Sequence, residues 1–137
     1  MTFLYKIIYT PFVNFILRNL NKAFSFLIPK IKLPPSGIIT LKLKDGNTIK
    51  FHTNQTDPVG QKIYWNGIYG YEYVDIFEDI ISNCKGFLDI GSNAGLYSMI
   101  AAKKSAHIKV IAFDPTNASA HYFKNNITSN HFIKLQD

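Results

Sequence analysis

The stretch Phe87-Leu88-Asp89-Ile90-Gly91-Ser92-Asn93-Ala94-Gly95-Leu96-Tyr97-Ser98 constrains this chain more than any other. A short apolar run breaks on closely spaced glycines and then resumes. This predicts a buried strand from Phe87 to Ile90, a tight turn, and a helix from about Gly95. Gly91 and Gly95 permit backbone conformations barred to residues with a Cβ and let a ligand approach closely. Asn93 is among the few other types that tolerate the left-handed region. Asp89 stands at the carboxyl end of the strand, where open α/β sheets bind their ligands. Ile108 to Phe113 reads as a second strand, ending in Asp114-Pro115. A carboxylate there, after a βαβ crossover, suits hydrogen bonds to a ribose diol. A glycine-rich turn with a distal acid is a nucleoside-cofactor signature.

Spacing narrows the cofactor. The dinucleotide fingerprint G-x-G-x-x-G needs glycines at 91, 93 and 96, and the chain has Gly91, Asn93 and Leu96. A side chain at the second position obstructs a pyrophosphate. No Lys-Ser or Lys-Thr follows the turn, which excludes a P-loop. The spacing Asp89-x-Gly91-x-Asn93-x-Gly95 resembles motif I of class I S-adenosylmethionine-dependent methyltransferases, with Asn for the middle Gly. More closely, FLDIGSNAGLYSMIAAKK, KVIAFDP and FKNNI together resemble the FkbM-like methyltransferase family, and GYEYVDIF resembles the segment that precedes its motif I. Asp114 stands where that family commonly has Glu. The resemblance covers roughly residues 38–137 and is specific over 86–115.

Length and charge set outer limits. At 137 residues the chain is one domain by length, able to bury ~68–70% of its unfolded surface. Its single cysteine, Cys84, excludes an intramolecular disulfide, and no Cys or His cluster has metal-ligand spacing. A reduced, cytoplasmic setting is expected, with membrane association through the N-terminal arm as an option. The sequons at Asn54, Asn117 and Asn126 read as chance in an Asn-rich chain. Residues 1–44 carry seven Lys or Arg and no acid, whereas the remaining 93 carry eight basic and nine acidic residues. The net charge of +6 therefore belongs to the arm, and no basic stripe accompanies the cofactor signature. Nucleic acid is not an expected partner.

Residues 1–37 read as a basic amphipathic arm with a Pro-rich linker, and 38–137 as the N-terminal part of a methyltransferase domain. Thr10-Pro11 opens a helix that Pro29 stops. Asn14, Arg18, Asn21, Lys22 and Ser25 share one narrow face of it, and apolar residues cover the rest. Three fates are open to this helix, one of them a targeting role. It packs on the sheet or on a second subunit, or residues 11–28 lie in a membrane interface. The uncharged run Ile7 to Leu17 is too short to span a bilayer. No cleavage site of the signal-peptide kind follows it. Alternation at Ile39, Leu41, Leu43 and at Ile49, Phe51, around Asp45-Gly46, predicts a β-hairpin. His52 falls on its polar face. Residues 54–70, rich in Gly and aromatics, read as a loop. Tyr71 to Cys84 reads as a helix packing through Tyr73, Phe77, Ile80 and Cys84. A helix over 95–104 ends in Lys103-Lys104. A further helix, capped by Thr116 and running to about Asn130, should bury Ala120, Phe123 and Ile127. Phe132 to Leu135 should start a third strand.

The expected fold is α/β: a partial Rossmann-like class I methyltransferase sheet (strands 1–3), preceded by the helical arm and the hairpin. The full fold that it resembles has seven strands, so the chain reads as a truncated, cofactor-binding portion. The resemblance implies methyl transfer from S-adenosylmethionine, as O-methylation of a sugar or small metabolite. It also implies that Asp89 orients the donor's amino acid end, Gly91, Ser92, Asn93 and Gly95 form the floor beneath it, Asp114 holds the ribose hydroxyls, and Pro115 and Thr116 line the adenine side. No residue can be named as catalytic base, and no metal is implied. The alternatives are a non-catalytic fragment or binding module, and a nucleotide-linked oxidoreductase half-domain, which Asn93 opposes.

Overall fold

The structure, a computed structural model, describes residues 2–132, with side chains from residue 3. It is a mixed α/β chain that divides into two compact units. The first comprises Met1–Ile39 and His52–Tyr71, and the second Thr40–Phe51 and Glu72–Asp137. The β-hairpin is shared out between them. Its strands are β1 (Gly37–Lys42) and β2 (Thr48–Thr53). Alternation is obeyed: Ile39, Leu41, Leu43, Ile49 and Phe51 are all buried. The turn closes as Asp45-Gly46 predicts, with the Asn47 N–H donating to Asp45 Oδ1 (2.9 Å) and the Gly46 N–H to the Leu43 carbonyl (3.0 Å). His52 is half-buried.

The first unit opens with α1 (Thr2–Ile8), a short helix that the sequence reading did not expect. Next comes α2 (Pro11–Ala23), with Pro11 in its first turn and Thr10 as an extended N-cap. Thr10 Oγ1 donates back to the Lys6 carbonyl (2.9 Å), so it ties the two helices together and does not cap α2 through its side chain. The helix ends at Ala23, before Pro29, and turns carry the chain onward. Residues 54–70 are not a loop. They contain α3 (Pro58–Asn66), which Asp57 caps by accepting from the Val59 N–H (2.9 Å), and one 3₁₀ turn at Ile68–Gly70. Pro58 is the helix's N1 residue, and Gly60 sits where a Cβ would collide with Thr53 Oγ1. Two residues that read as loop punctuation are thus a helix start and a packing contact.

In the second unit α4 (Val74–Ile81) is shorter than expected and turned by about one residue. It buries Val74, Glu78 and Ile81, while Tyr73 and Ile80 are exposed. Glu72, with a φ of 39°, breaks the backbone ahead of the helix, so the expected start at Tyr71 is lost. Strand β3 (Gly86–Ile90) leads through the turn to α5 (Leu96–Lys104) and then to β4 (Lys109–Phe113), which pairs with β3 in parallel, Gly86 opposite Lys109 and Ile90 opposite Phe113. Helix α6 (Asn117–Ser129) follows, with Thr116 accepting from the Ser119 N–H as N-cap. Among the described residues this sheet has two strands. The third, expected from Phe132, falls mainly on residues 133–137, outside the described range. Ile81, Ala101, Ile108 and Val110 form the core, with Phe77, Cys84 and Phe87 packed against it. Among the described residues nothing covers the opposite face of the sheet, where Leu88, Ile90, Ile111 and Phe113 are all exposed, Ile90 at 78%. Helix α5 buries Leu96, Met99, Ile100 and Ala101.

Candidate functional site

Strand β3 delivers the chain to the turn with its one buried side chain, Asp89. Ser98 Oγ, one turn into α5, donates to Asp89 Oδ2 at 2.6 Å. Burial pushes the Asp89 carboxyl above its usual range, and the hydrogen bonds from Ser98 only partly oppose this. Asp89 therefore fastens α5 to the end of β3. Ser98 lies within the opening stretch, but the sequence reading gave it no role. Its signal was a hydroxyl one helical turn past Gly95, on the side that faces back to the strand.

The turn uses the left-handed region three times, at Gly91 (φ 77°), Asn93 (φ 50°) and Gly95 (φ 81°). The two glycines serve different ends. A Cβ on Gly95 would strike the ring of Phe123 on α6, whereas one on Gly91 would meet nothing within 4 Å. Gly95 thus lets α6 pack against the turn, and Gly91 leaves open space above it. The N–H groups of Gly91 and Ser92 both donate to the Phe113 carbonyl, at 2.9 and 3.0 Å, which stitches the turn to the end of β4.

Asp114 completes the stitching. Its Oδ2 accepts from the Asn93 N–H (2.9 Å), and its Oδ1 accepts from the Thr116 N–H (2.9 Å) and Oγ1 (2.7 Å). Burial raises its pKa, but hydrogen bonds led by those of Thr116 outweigh this and hold the carboxyl below the usual carboxylate range. A carboxylate offers about four lone-pair sites. Asn93 and Thr116 engage three of them and the Ser119 hydroxyl also acts on the carboxylate, so a ligand would bind by exchange, and the Thr116 hydroxyl is the bond most easily exchanged. Ser119 Oγ donates to Asn93 Oδ1 (3.3 Å), and Asn126 Nδ2 donates to the Ala94 carbonyl (2.8 Å). Asn126 is fully buried, so its sequon is not accessible in the fold. The sequence reading missed Asn126 as a site residue because it expected apolar neighbours alone to face inward from α6.

A cavity of about 230 Å³ opens beside Asp114, lined by Ser92, Ala112, Phe113, Ala120, Phe123 and Lys124. Ser92 Oγ is buried and has no hydrogen-bond partner. A buried hydroxyl without a partner is costly, so this atom marks a place where a polar ligand group would be satisfied. The turn, Asp114 and the cavity lie together. Pro115 and Thr116 are exposed and are not part of the cavity wall. Among the described residues no group of His, Cys, Asp or Glu could hold a metal ion. No family model, curated protein or solved structure matches the chain.

Proposed function

We propose that the second unit binds S-adenosylmethionine and is the cofactor-binding portion of a Rossmann-like methyltransferase of the FkbM-like kind, acting on a hydroxyl of a sugar or small metabolite. The observation that carries this reading is the junction of a left-handed turn at Gly91, Asn93 and Gly95 with Asp114 at the end of a parallel neighbour strand. The cofactor supplies a methyl group on a sulfonium, and an oxygen nucleophile must be held in line with it. In this reading Asp114 accepts from the ribose hydroxyls by exchange with the hydroxyl of Thr116. The open space above Gly91 receives the ligand, and Phe113 and Phe123 offer apolar walls to a planar base. Ser92 Oγ finds its partner there. Asp89 acts through the turn, holding α5 in register by way of Ser98. The missing glycine at position 93 argues against a dinucleotide.

Binding is the test. Calorimetry on the chain should show S-adenosylmethionine and S-adenosylhomocysteine binding at one site. Asp114→Ala should weaken binding by about 1.5–3 kcal/mol, the range for hydrogen bonds to a charged group. Gly91→Val should prevent it, because the side chain fills the ligand's space. Tight binding of NADH with none of S-adenosylhomocysteine would overturn the proposal.

A further inference from the structure

Helix α2 is inside out. A surface helix of a water-soluble domain turns its apolar stripe to the core and its polar face to solvent. Here Asn14 and Arg18, one turn apart, are 0% and 4% exposed, while Phe12 is 73% exposed. The inward contacts are polar and specific. Asn14 Oδ1 accepts from the Ser36 N–H (2.6 Å) and its Nδ2 donates to the Pro34 carbonyl (3.3 Å). Arg18 donates from Nη1 to the Ser36 carbonyl (3.2 Å) and from Nη2 to the Ile38 carbonyl (3.0 Å). Its guanidinium also lies 5.3 Å from the centre of the Tyr64 ring. Asn21 Oδ1 accepts from the Leu33 N–H (2.9 Å). The polar face thus clamps the backbone of the 33–38 segment, all within the first unit. That leaves Phe12, Phe15, Ile16 and Leu20 pointing outward, with Phe3 and Leu4 of α1 exposed as well.

We propose that this outward surface docks the protein on an anionic lipid bilayer, with α2 lying in the interface plane. An exposed apolar patch of this extent marks an interaction site, and its charges name the partner. Lys6, Lys22, Lys30 and Lys32 are exposed, and residues 1–44 contain no acid. Lys22 and Lys32 lie on the inner side, against Tyr64 and Asn66, but a segment whose outward surface is apolar and whose charges are all basic is complementary to acyl chains beneath anionic headgroups. The same charges oppose a second copy, because pairing two such segments adds their basic charges with no acid in either to offset them. Among the described residues no helix is long and apolar enough to cross a membrane, so the helix lies along the surface. The inference does not rest on the methyltransferase reading.

The test is flotation of the whole chain with vesicles of phosphatidylcholine alone and of phosphatidylcholine with about one-third phosphatidylglycerol. The chain should float with the anionic vesicles, and be released as salt rises toward the screening regime. Replacing Phe12, Ile16 and Leu20 together by serine should reduce bound protein at least tenfold and leave the far-ultraviolet circular dichroism unchanged, because the clamp residues are untouched. A second variant, Lys6, Lys30 and Lys32 to glutamine, should lose the preference for anionic vesicles while keeping its fold. Equal binding by the serine variant, or equal binding of the native chain to both vesicles, would overturn the proposal. So would a dimer in solution that ignores vesicles and dissociates on the serine substitutions.

Discussion

Gly91 and Gly95 look alike in the sequence and differ in the structure, so substituting each by alanine separates backbone strain from packing. Both have positive φ, and a non-glycine residue there costs about 1–2 kcal/mol. Both gain the same unfolded-state benefit from losing a glycine, about 0.4–1 kcal/mol, and it cancels in the comparison. Only at Gly95 does the new methyl meet the Phe123 ring, and overpacking of this kind adds about 1–3 kcal/mol. Gly95→Ala should therefore be the less stable variant by about 1–3 kcal/mol. With a urea m-value of about 1–3 kcal/mol per M, a difference of about 2 kcal/mol separates the midpoints by about 0.7–2 M. Adding Phe123→Leu to Gly95→Ala should recover part of the loss, and adding it to Gly91→Ala should only destabilise further. Coincident midpoints for the two alanine variants would refute the division of labour between the glycines.

Three further perturbations probe the same unit. The folded Asp89 carboxyl titrates above its unfolded value, so native stability is greatest below the unfolded pKa and declines as pH rises through the folded one; Asp89→Asn should flatten that decline and be neutral or stabilising at pH 7, measured by urea unfolding across pH. Glu78, whose side chain is fully buried, accepts from Lys104 Nζ (3.0 Å) and the Lys44 N–H (3.1 Å), and Glu78→Ala should cost about 1–3 kcal/mol, the range for leaving a buried donor unsatisfied, because Lys104 keeps its ion pair with Asp45 (2.9 Å); no measurable loss in chemical denaturation would contradict it. The bare face at Leu88, Ile90, Ile111 and Phe113 should make the 137-residue chain self-associate, and Ile90→Lys with Phe113→Lys should shift its sedimentation toward monomer.

Local chemistry was the legible part of this chain. The strand–turn–helix at 86–104, the parallel partner at 109–113, the Asp45-Gly46 hairpin and the Thr116 cap all appear where residue type demands them. Each depends on a constraint carried within a few residues, such as positive φ, a cap or strict alternation. The errors arose where one residue has two readings. Pro58 and Gly60 suggest a loop, yet Pro at N1 and Gly against Thr53 suit a helix equally well. Around α4 the expected packing holds for Phe77 and Cys84 and fails for Tyr73 and Ile80, and the helix starts late because Glu72 breaks the backbone, a Glu at positive φ carrying no advance signal.

Periodicity also has a limit of a different kind. A pattern of period 3.6 or 2 divides an element into two faces, but it does not say which of them turns inward. For the hairpin and α5 the usual answer holds, and apolar residues are buried. For α2 the division at Asn14, Arg18, Asn21 and Ser25 was read correctly, and the polar side is the inner one. Its sign goes with the backbone of the 34–38 segment, where Arg18 donates to the Ser36 and Ile38 carbonyls and Asn14 bonds Pro34 and Ser36. For β3 and β4 the sequence is apolar on both faces, and only one face has a partner. In both places the surface left outside is apolar, so what covers it is a question of partners, and the charges around it decide which partner is possible. Around α2 they are basic and select an anionic surface. On the sheet face the four apolar residues lie beside a single exposed cation, Lys109 at the start of β4, too little charge to select a partner, so that face predicts association of the chain with itself and names no ligand.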